Sequence, residues 1–260
     1  MAGDILRVSE DFWNIRGSYR IGGFIDVGTQ ASLVRRSNGR FVFLDSYTLT
    51  SRVSGQVDEL TGGGEMVEAI LNLHPFHTVH VRKMHELFPR ARLYGTARHL
   101  ERFPDLPWEE MRLEDSASHG QFADAFEVSV PRGVDFISAD EKVHFSSVLA
   151  FHRASGTIHS DDTLMYIRLP ALLSVFGLSD AVSFHPTLAK ALEQRPGAAR
   201  DFGDWAAGLI ESWRSAENLC AAHTAALLAH ENRGESIHKR LNRALDKVGK
   251  TLQAHEQKYG

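Results

Sequence analysis

The stretch Leu73-His74-Pro75-Phe76-His77-Thr78-Val79-His80-Val81 places three histidines at spacings of three. It follows Met66–Leu73, a short apolar run suited to a buried strand. Residues 79–88 after it read as a helix closed by Pro89. Pro75 favours a loop around the first histidine. Strand ends and the loops behind them are where layered α/β folds expose their functional groups. Three imidazoles so close in the chain are suited to converge on one cation, and neutral imidazole is a good ligand for zinc, iron and related metals. Capping or surface roles are the plainer alternative for any one of them.

Upstream, residues 11–46 read as strands in FWNIRGSY, ASLVRR and FVFLDS. Asn38-Gly39 marks a hairpin between the last two. Asp45 closes the last strand, where a turn-capping role is also open to it. Val53, Val57 and Leu60 then take helical spacing until Gly62-Gly63-Gly64 ends that element. Downstream, Leu93-Tyr94-Gly95 reads as a short strand, and Pro104–Ala123 as polar, turn-rich chain on the rim of a site. FEVSV, VDFIS, VHFSSVLAFH and GTIHSD between residues 124 and 167 read as strands. Phe202, Trp205, Leu209, Ile210 and Trp213 lie along one helical face in 198–214. Residues 231–257 form a charged amphipathic helix with Leu241, Leu245, Val248 and Leu252 on one stripe. The domain expectation is one layered α/β body over 1–230 and a C-terminal helix over 231–260, packed on that body or on a partner chain. A homodimer is compatible with this.

Two further strand-end signals accompany the histidines. His159-Ser160-Asp161-Asp162-Thr163-Leu164 puts two adjacent carboxylates after the strand Gly156–Ile158; such a pair invites a cation or serves a turn. Asn218–Ala222 is an apolar run that ends at His223.

The order of these signals resembles the metallo-β-lactamase superfamily, over roughly residues 11–228. FVFLDS resembles the family's early strand ending in Asp. LHPFHTVH occupies the place of the HxHxDH loop. VHFSSVLAFHRASGTIHSDDTLMY resembles the later pattern in which a ligand histidine precedes a strand and GDTL supplies a bridging aspartate. WRSAENLCAAH resembles the last ligand motif. The resemblance implies a four-layer αββα sandwich of metallo-β-lactamase type with an added C-terminal helix. It implies His74, His77, His80, His144, Asp162 and His223 as metal ligands, with Asp162 and Asp161 as the catalytic carboxylates. It further implies one or two divalent metal ions, zinc first and iron or manganese as alternatives. The activity expected is metal-dependent hydrolysis of a small-molecule ester, lactone, thioester or phosphodiester. A catalytically degenerate metal-binding or regulatory module is the alternative.

The pattern departs from the family in the loop. Read strictly from His74, HxHxDH falls on Phe76, Thr78 and Val79. One inserted residue restores histidine at His77 and His80, but the motif aspartate then falls on Thr78 or Val79. Val81-Arg82-Lys83 replace the usual glycines. The His144 match needs a one-residue gap, with Val143 in the family's glycine position. A di-iron redox branch would need the loop carboxylate, and β-lactamases proper are normally exported.

The bulk properties narrow the classes. The chain has 260 residues, 43% hydrophobic and 24% charged, with a formal net charge of −4. That charge is unlike a general nucleic-acid binder, so no nucleic acid is expected as partner. Fourteen histidines are unusual, and the single Cys220 allows no intrachain disulfide. MAGDILRVSE has no apolar export segment, and no run approaches the ~18 apolar residues of a membrane span. A cytoplasmic location with no membrane contact is the expectation.

Overall fold

A computed structural model describes residues 4–18, 20–21, 25–26, 28–115, 120–168, 180–222, 225–232 and 234–260. The chain divides into two compact units, Met1–Val128 with His152–Ser155, and Ser129–Phe151 with Gly156–Gly260.

The first unit is built on β1 (Asp4–Arg7), β2 (Phe12–Gly17), β5 (Thr29–Arg35), β6 (Phe41–Leu44), β7 (Val67–Leu71), β8 (Arg92–Gly95) and β9 (Trp108–Arg112). These strands form one sheet in the order β1-β2-β5-β6-β7-β8-β9, beside a small ladder of β3 (Arg20–Ile21) and β4 (Ile25–Asp26). Asn38-Gly39 makes the expected hairpin turn: Gly39 takes φ 79° and the Asn38 side chain accepts from the Arg40 amide at 2.9 Å. From β6 onward the pairings are parallel. The carboxyl ends of β6, β7 and β8 therefore share one edge, which is where α/β sheets gather functional loops.

Two helices cover the sheet's apolar face. α1 (Ser51–Thr61) starts where the Thr50 hydroxyl accepts from the Val53 amide, and Gly62 closes it at φ 62°. It buries Val53 and Val57 against Trp13, Leu33, Phe43 and Ile70, and α2 (Val81–Leu87) adds Met84 to the same core. α3 (Ala97–Arg102) follows β8. Pro104–Ala123 is more than a turn-rich rim, because β9 lies inside it and pairs with β8.

The second unit contains β11 (Leu149–His152) as far as Phe151, β12 (Thr157–Ser160), β15 (Asn218–Ala221) and β16 (Ala226–Leu227); β10 (Glu127–Ser129) falls where the chain passes from the first unit to the second. β13 (Leu164–Ile167) and β14 (Ala181–Phe184) form a separate antiparallel pair. Among the described residues the unit's α-helices are α4 (Leu188–Ala191), α5 (Ala198–Ser212) and α6 (Ile237–Tyr259). The stripe read in 198–214 is the buried face of α5: Phe202 meets Phe145, Phe184 and Trp205 at ring separations of 5.8, 5.3 and 5.4 Å. α6 buries Ile237, Leu241 and Ala244 in the same core, with Leu245, Val248 and Leu252 packed against it.

Of two expected strands of this unit, one is absent and the other forms only in its second half. VDFIS contributes one isolated bridge, Val134 to Leu192. VHFSSVLAFH pairs only from Leu149. The reason lies in Thr163, whose hydroxyl donates to the Phe145 carbonyl and accepts from the Ser147 amide, each at 2.9 Å. Those backbone groups are satisfied by a side chain and need no ladder partner.

Candidate metal centre

The first unit carries the histidine group. β7 delivers Asn72 and Leu73 to the sheet's edge, and both are held there. The Asn72 amide nitrogens bond to the Tyr94 carbonyl, and Asn72 Oδ1 accepts from Ser46 at 2.6 Å. The Leu73 amide donates to Asp45 Oδ1 at 2.7 Å. Asp45 sits at φ 62°, which is strained for a non-glycine residue. Its carboxylate thus fixes the residue immediately before His74, a long-range tie between two strand ends and not the local turn cap that was also open to Asp45.

His74 is fully buried, and its ring stacks on His77 at 4.0 Å with an interplanar angle of 15°. The Phe76 amide donates to His74 Nδ1 at 3.1 Å, which puts the proton of a neutral ring on Nε2. A neutral imidazole that binds a metal through Nε2 carries its proton on Nδ1. Ligation in that mode would therefore give up the Phe76 bond. Arg98 lies over the Phe76 ring at 4.5 Å, so the loop's aromatic residue is itself packed.

His80 is the N-cap residue of α2, yet its ring makes no capping bond. Its Nδ1 lies 2.9 Å from the Thr48 hydroxyl, and its ring meets Tyr47 edge-on at 5.2 Å. Tyr47 is placed by Gly17, where any side chain would collide with the tyrosine ring at 2.1 Å. His80 Nε2 is buried and has no hydrogen-bond partner among the described residues. Burial, and then the charge of His77, hold its pKa below the ordinary histidine value.

Sequence reading passed over His99, on α3. Its Nδ1 accepts from the Thr96 amide at 3.2 Å, completing a capping box. Burial pushes its pKa down to about 3, partly offset by a hydrogen bond to the His77 backbone. The usable signal was Thr96 followed three residues later by a hydrogen-bonding side chain, a pattern normally sought with Glu or Gln.

The second unit carries the carboxylates. The parallel register Thr157↔Asn218 to Ser160↔Ala221 sets the ends of β12 and β15 side by side. Asp161 and Asp162 follow β12 and are 1% and 2% exposed. Their turn is tied by Thr163 and by Ser160, whose Oγ accepts from the Leu164 amide at 3.2 Å. His144 Nε2 donates to the Glu141 carbonyl at 2.6 Å, and its Nδ1 lies 4.0 Å from Asp162 Oδ2. The second unit thus brings His144 to Asp162, as the first brings His77 to His74. His223 lies outside the described residues. Thr78 and Val79, the two positions on which the loop pattern's carboxylate can fall, are 8% and 68% exposed.

Among the described residues, no helix is long and apolar enough to cross a membrane. The sequence matches no protein-family model and no curated protein sequence. Solved structures do match. A metallo-β-lactamase from Erythrobacter litoralis, with β-mercaptoethanol in its active site, aligns at TM-score 0.61 and 11% identity over 94% of this chain and 95% of its own. FIM-1 from Pseudomonas aeruginosa, in a mono-zinc form, aligns at TM-score 0.58 and 9% identity over 95% of this chain and 96% of its own. A metallo-β-lactamase from Pontibacter korlensis aligns at TM-score 0.59 and 10% identity over 96% and 99%. Likeness of this extent at so little identity is a likeness of fold, and it agrees with the order of strand-end residues read from the sequence: this chain has the metallo-β-lactamase fold.

Proposed function

We propose that the chain is a metal-dependent hydrolase of a small ester, lactone, thioester or phosphodiester. The observation that carries this reading is the stacked His74–His77 pair, held by a pinned strand end in a fold whose solved examples include a mono-zinc metallo-β-lactamase. The donor chemistry fits a divalent ion: imidazole nitrogens and carboxylate oxygens suit zinc best, with iron or manganese as alternatives. The buried, unpartnered Nε2 of His80 supports the fit. The donor set proposed begins with His74, His77 and Asp162. His80, His144 and His223 complete it, with Asp162 bridging where two ions bind.

When bound, such an ion lowers the pKa of its water towards ~7 and polarises the substrate's carbonyl or phosphoryl oxygen. The chain's own residues do the rest. Asp162 orients the attacking water and accepts its proton, with Asp161 as the second candidate. His144 stands beside Asp162, with its Nδ1 4.0 Å from Oδ2. Stacking limits how far the His74 and His77 rings can turn.

Metal content of the purified protein, followed by hydrolysis assays on the four substrate types before and after chelation, tests the reading. Retained zinc, iron or manganese with chelator-sensitive turnover is the expected result; protein that holds none of these metals would sink it.

The missing loop carboxylate favours a second reading. Neither Thr78 nor Val79 can replace the carboxylate that the family pattern uses to bind a second ion and orient water. A metal-binding or regulatory module without turnover accounts for that loss. Metal retention with no hydrolysis of any of the four substrate types is its signature.

A further inference from the structure

We propose that Thr48 is a positioning residue that fixes His80 in the Nδ1–H form, leaving the Nε2 lone pair for a cation. The proposal rests on the metal reading above and deepens it.

Thr48 is on a stiff piece of chain. Before it, Ser46 is bonded to Asn72 and Tyr47 is 7% exposed, its ring set against Gly17. After it, Thr50 caps α1. The Thr48 hydroxyl is thus a fixed point from which His80 Nδ1 hangs at 2.9 Å, while Tyr47 limits the ring's tilt. A helix N-cap residue normally turns its side chain onto its own helix; His80 turns away to Thr48 instead.

The choice of tautomer follows from the cost of burial. Thr48 is exposed, so its own O–H can be satisfied by water whichever role its oxygen takes. If Thr48 donated to Nδ1, the ring proton would sit on Nε2, buried and without an acceptor among the described residues. A buried unmet donor is expensive. With Nδ1–H donating to Thr48, only a lone pair is left on Nε2, which a metal ion takes up. Histidine ligands are commonly held in this way, through the nitrogen that does not bind the metal.

Long-range 1H–15N spectra of the metal-free protein report the His80 tautomer, and titration with Zn2+ reports affinity. The expected results are Nδ1–H in the wild type, a shift towards Nε2–H in Thr48→Val, and about tenfold weaker Zn2+ binding in that variant. Thr48→Ser restores both. A purely structural contact would move only the melting temperature. An Nε2–H wild type, or a Thr48→Val variant with unchanged tautomer and affinity, overturns the proposal. Wild-type protein with the Nδ1–H form but no Zn2+ affinity overturns the metal reading and keeps the Thr48 contact.

Discussion

The loop after β7 and the turn after β12 both end buried strands, but they hold different chemistry in different ways. In the first unit the rings of His74, His80 and His99 are each bonded to nearby chain: His74 and His99 accept from the Phe76 and Thr96 amides, and His80 Nδ1 meets the Thr48 hydroxyl. Neutral imidazoles can be buried this way at modest cost, because each ring offers one donor and one acceptor. In the second unit two adjacent carboxylates are almost fully buried at the end of β12, and their turn is fixed by the hydroxyls of Ser160 and Thr163. Buried carboxylates need compensation by hydrogen bonds or positive charge. The contrast teaches that each imidazole is settled by a single local bond, whereas the position of the carboxylates depends on the turn that carries them.

Acid is the strongest way to break the first half. The unfolded chain protonates His99 near 6.5, whereas the fold holds that pKa at about 3. The folded state therefore binds fewer protons between these values. Stability is full above ~7 and is lost as pH falls from ~6.5 towards ~3, by on the order of 4 kcal/mol. Denaturant unfolding across this range should show that slope, and His99→Gln should flatten it. A wild-type stability independent of pH over the window would remove His99 from the account.

Asp162→Asn probes the second half. It should weaken Zn2+ binding by about 100-fold, roughly 3 kcal/mol, and more than His80→Asn does. Calorimetric titration of both variants decides the order; the reverse order would place the essential charge elsewhere. Thr163→Val removes two bonds from a fully buried hydroxyl and should cost about 2 kcal/mol in denaturant unfolding. It should also loosen metal binding, because the carboxylates ride on that turn. Thr50→Ala is the smallest and serves as control. Loss of the α1 cap should cost ~1 kcal/mol and leave Zn2+ affinity unchanged.

Much of the first half was legible in the sequence. The hairpin at Asn38-Gly39, the helix ended by Gly62 and the buried strand before His74 are local signals, and local backbone preferences decide them. The roles of Asp45 and Thr48 were harder to see. Asp45 was readable as a strand-end residue, but its bond to the Leu73 amide joins positions 28 apart in the chain. Thr48 carries no local signal, and its meaning comes from a histidine 32 residues later. VDFIS and the first half of VHFSSVLAFH misled because their composition suits a strand. In VHFSSVLAFH a threonine hydroxyl claimed the Phe145 and Ser147 backbone groups that pairing would have used.

The sequence by itself determined which residues end buried strands, since apolar runs bounded by glycine, proline and polar residues set those ends whatever surrounds them. It therefore placed His74, Asp45 and Asp162 at strand ends. Only the tertiary structure decided how each ring is held, which nitrogen of His74 carries its proton, and that Thr163 rather than a neighbouring strand satisfies Phe145 and Ser147. Those are matters of hydrogen-bond partners brought together by strand order and register, and sequence spacing carries no record of them.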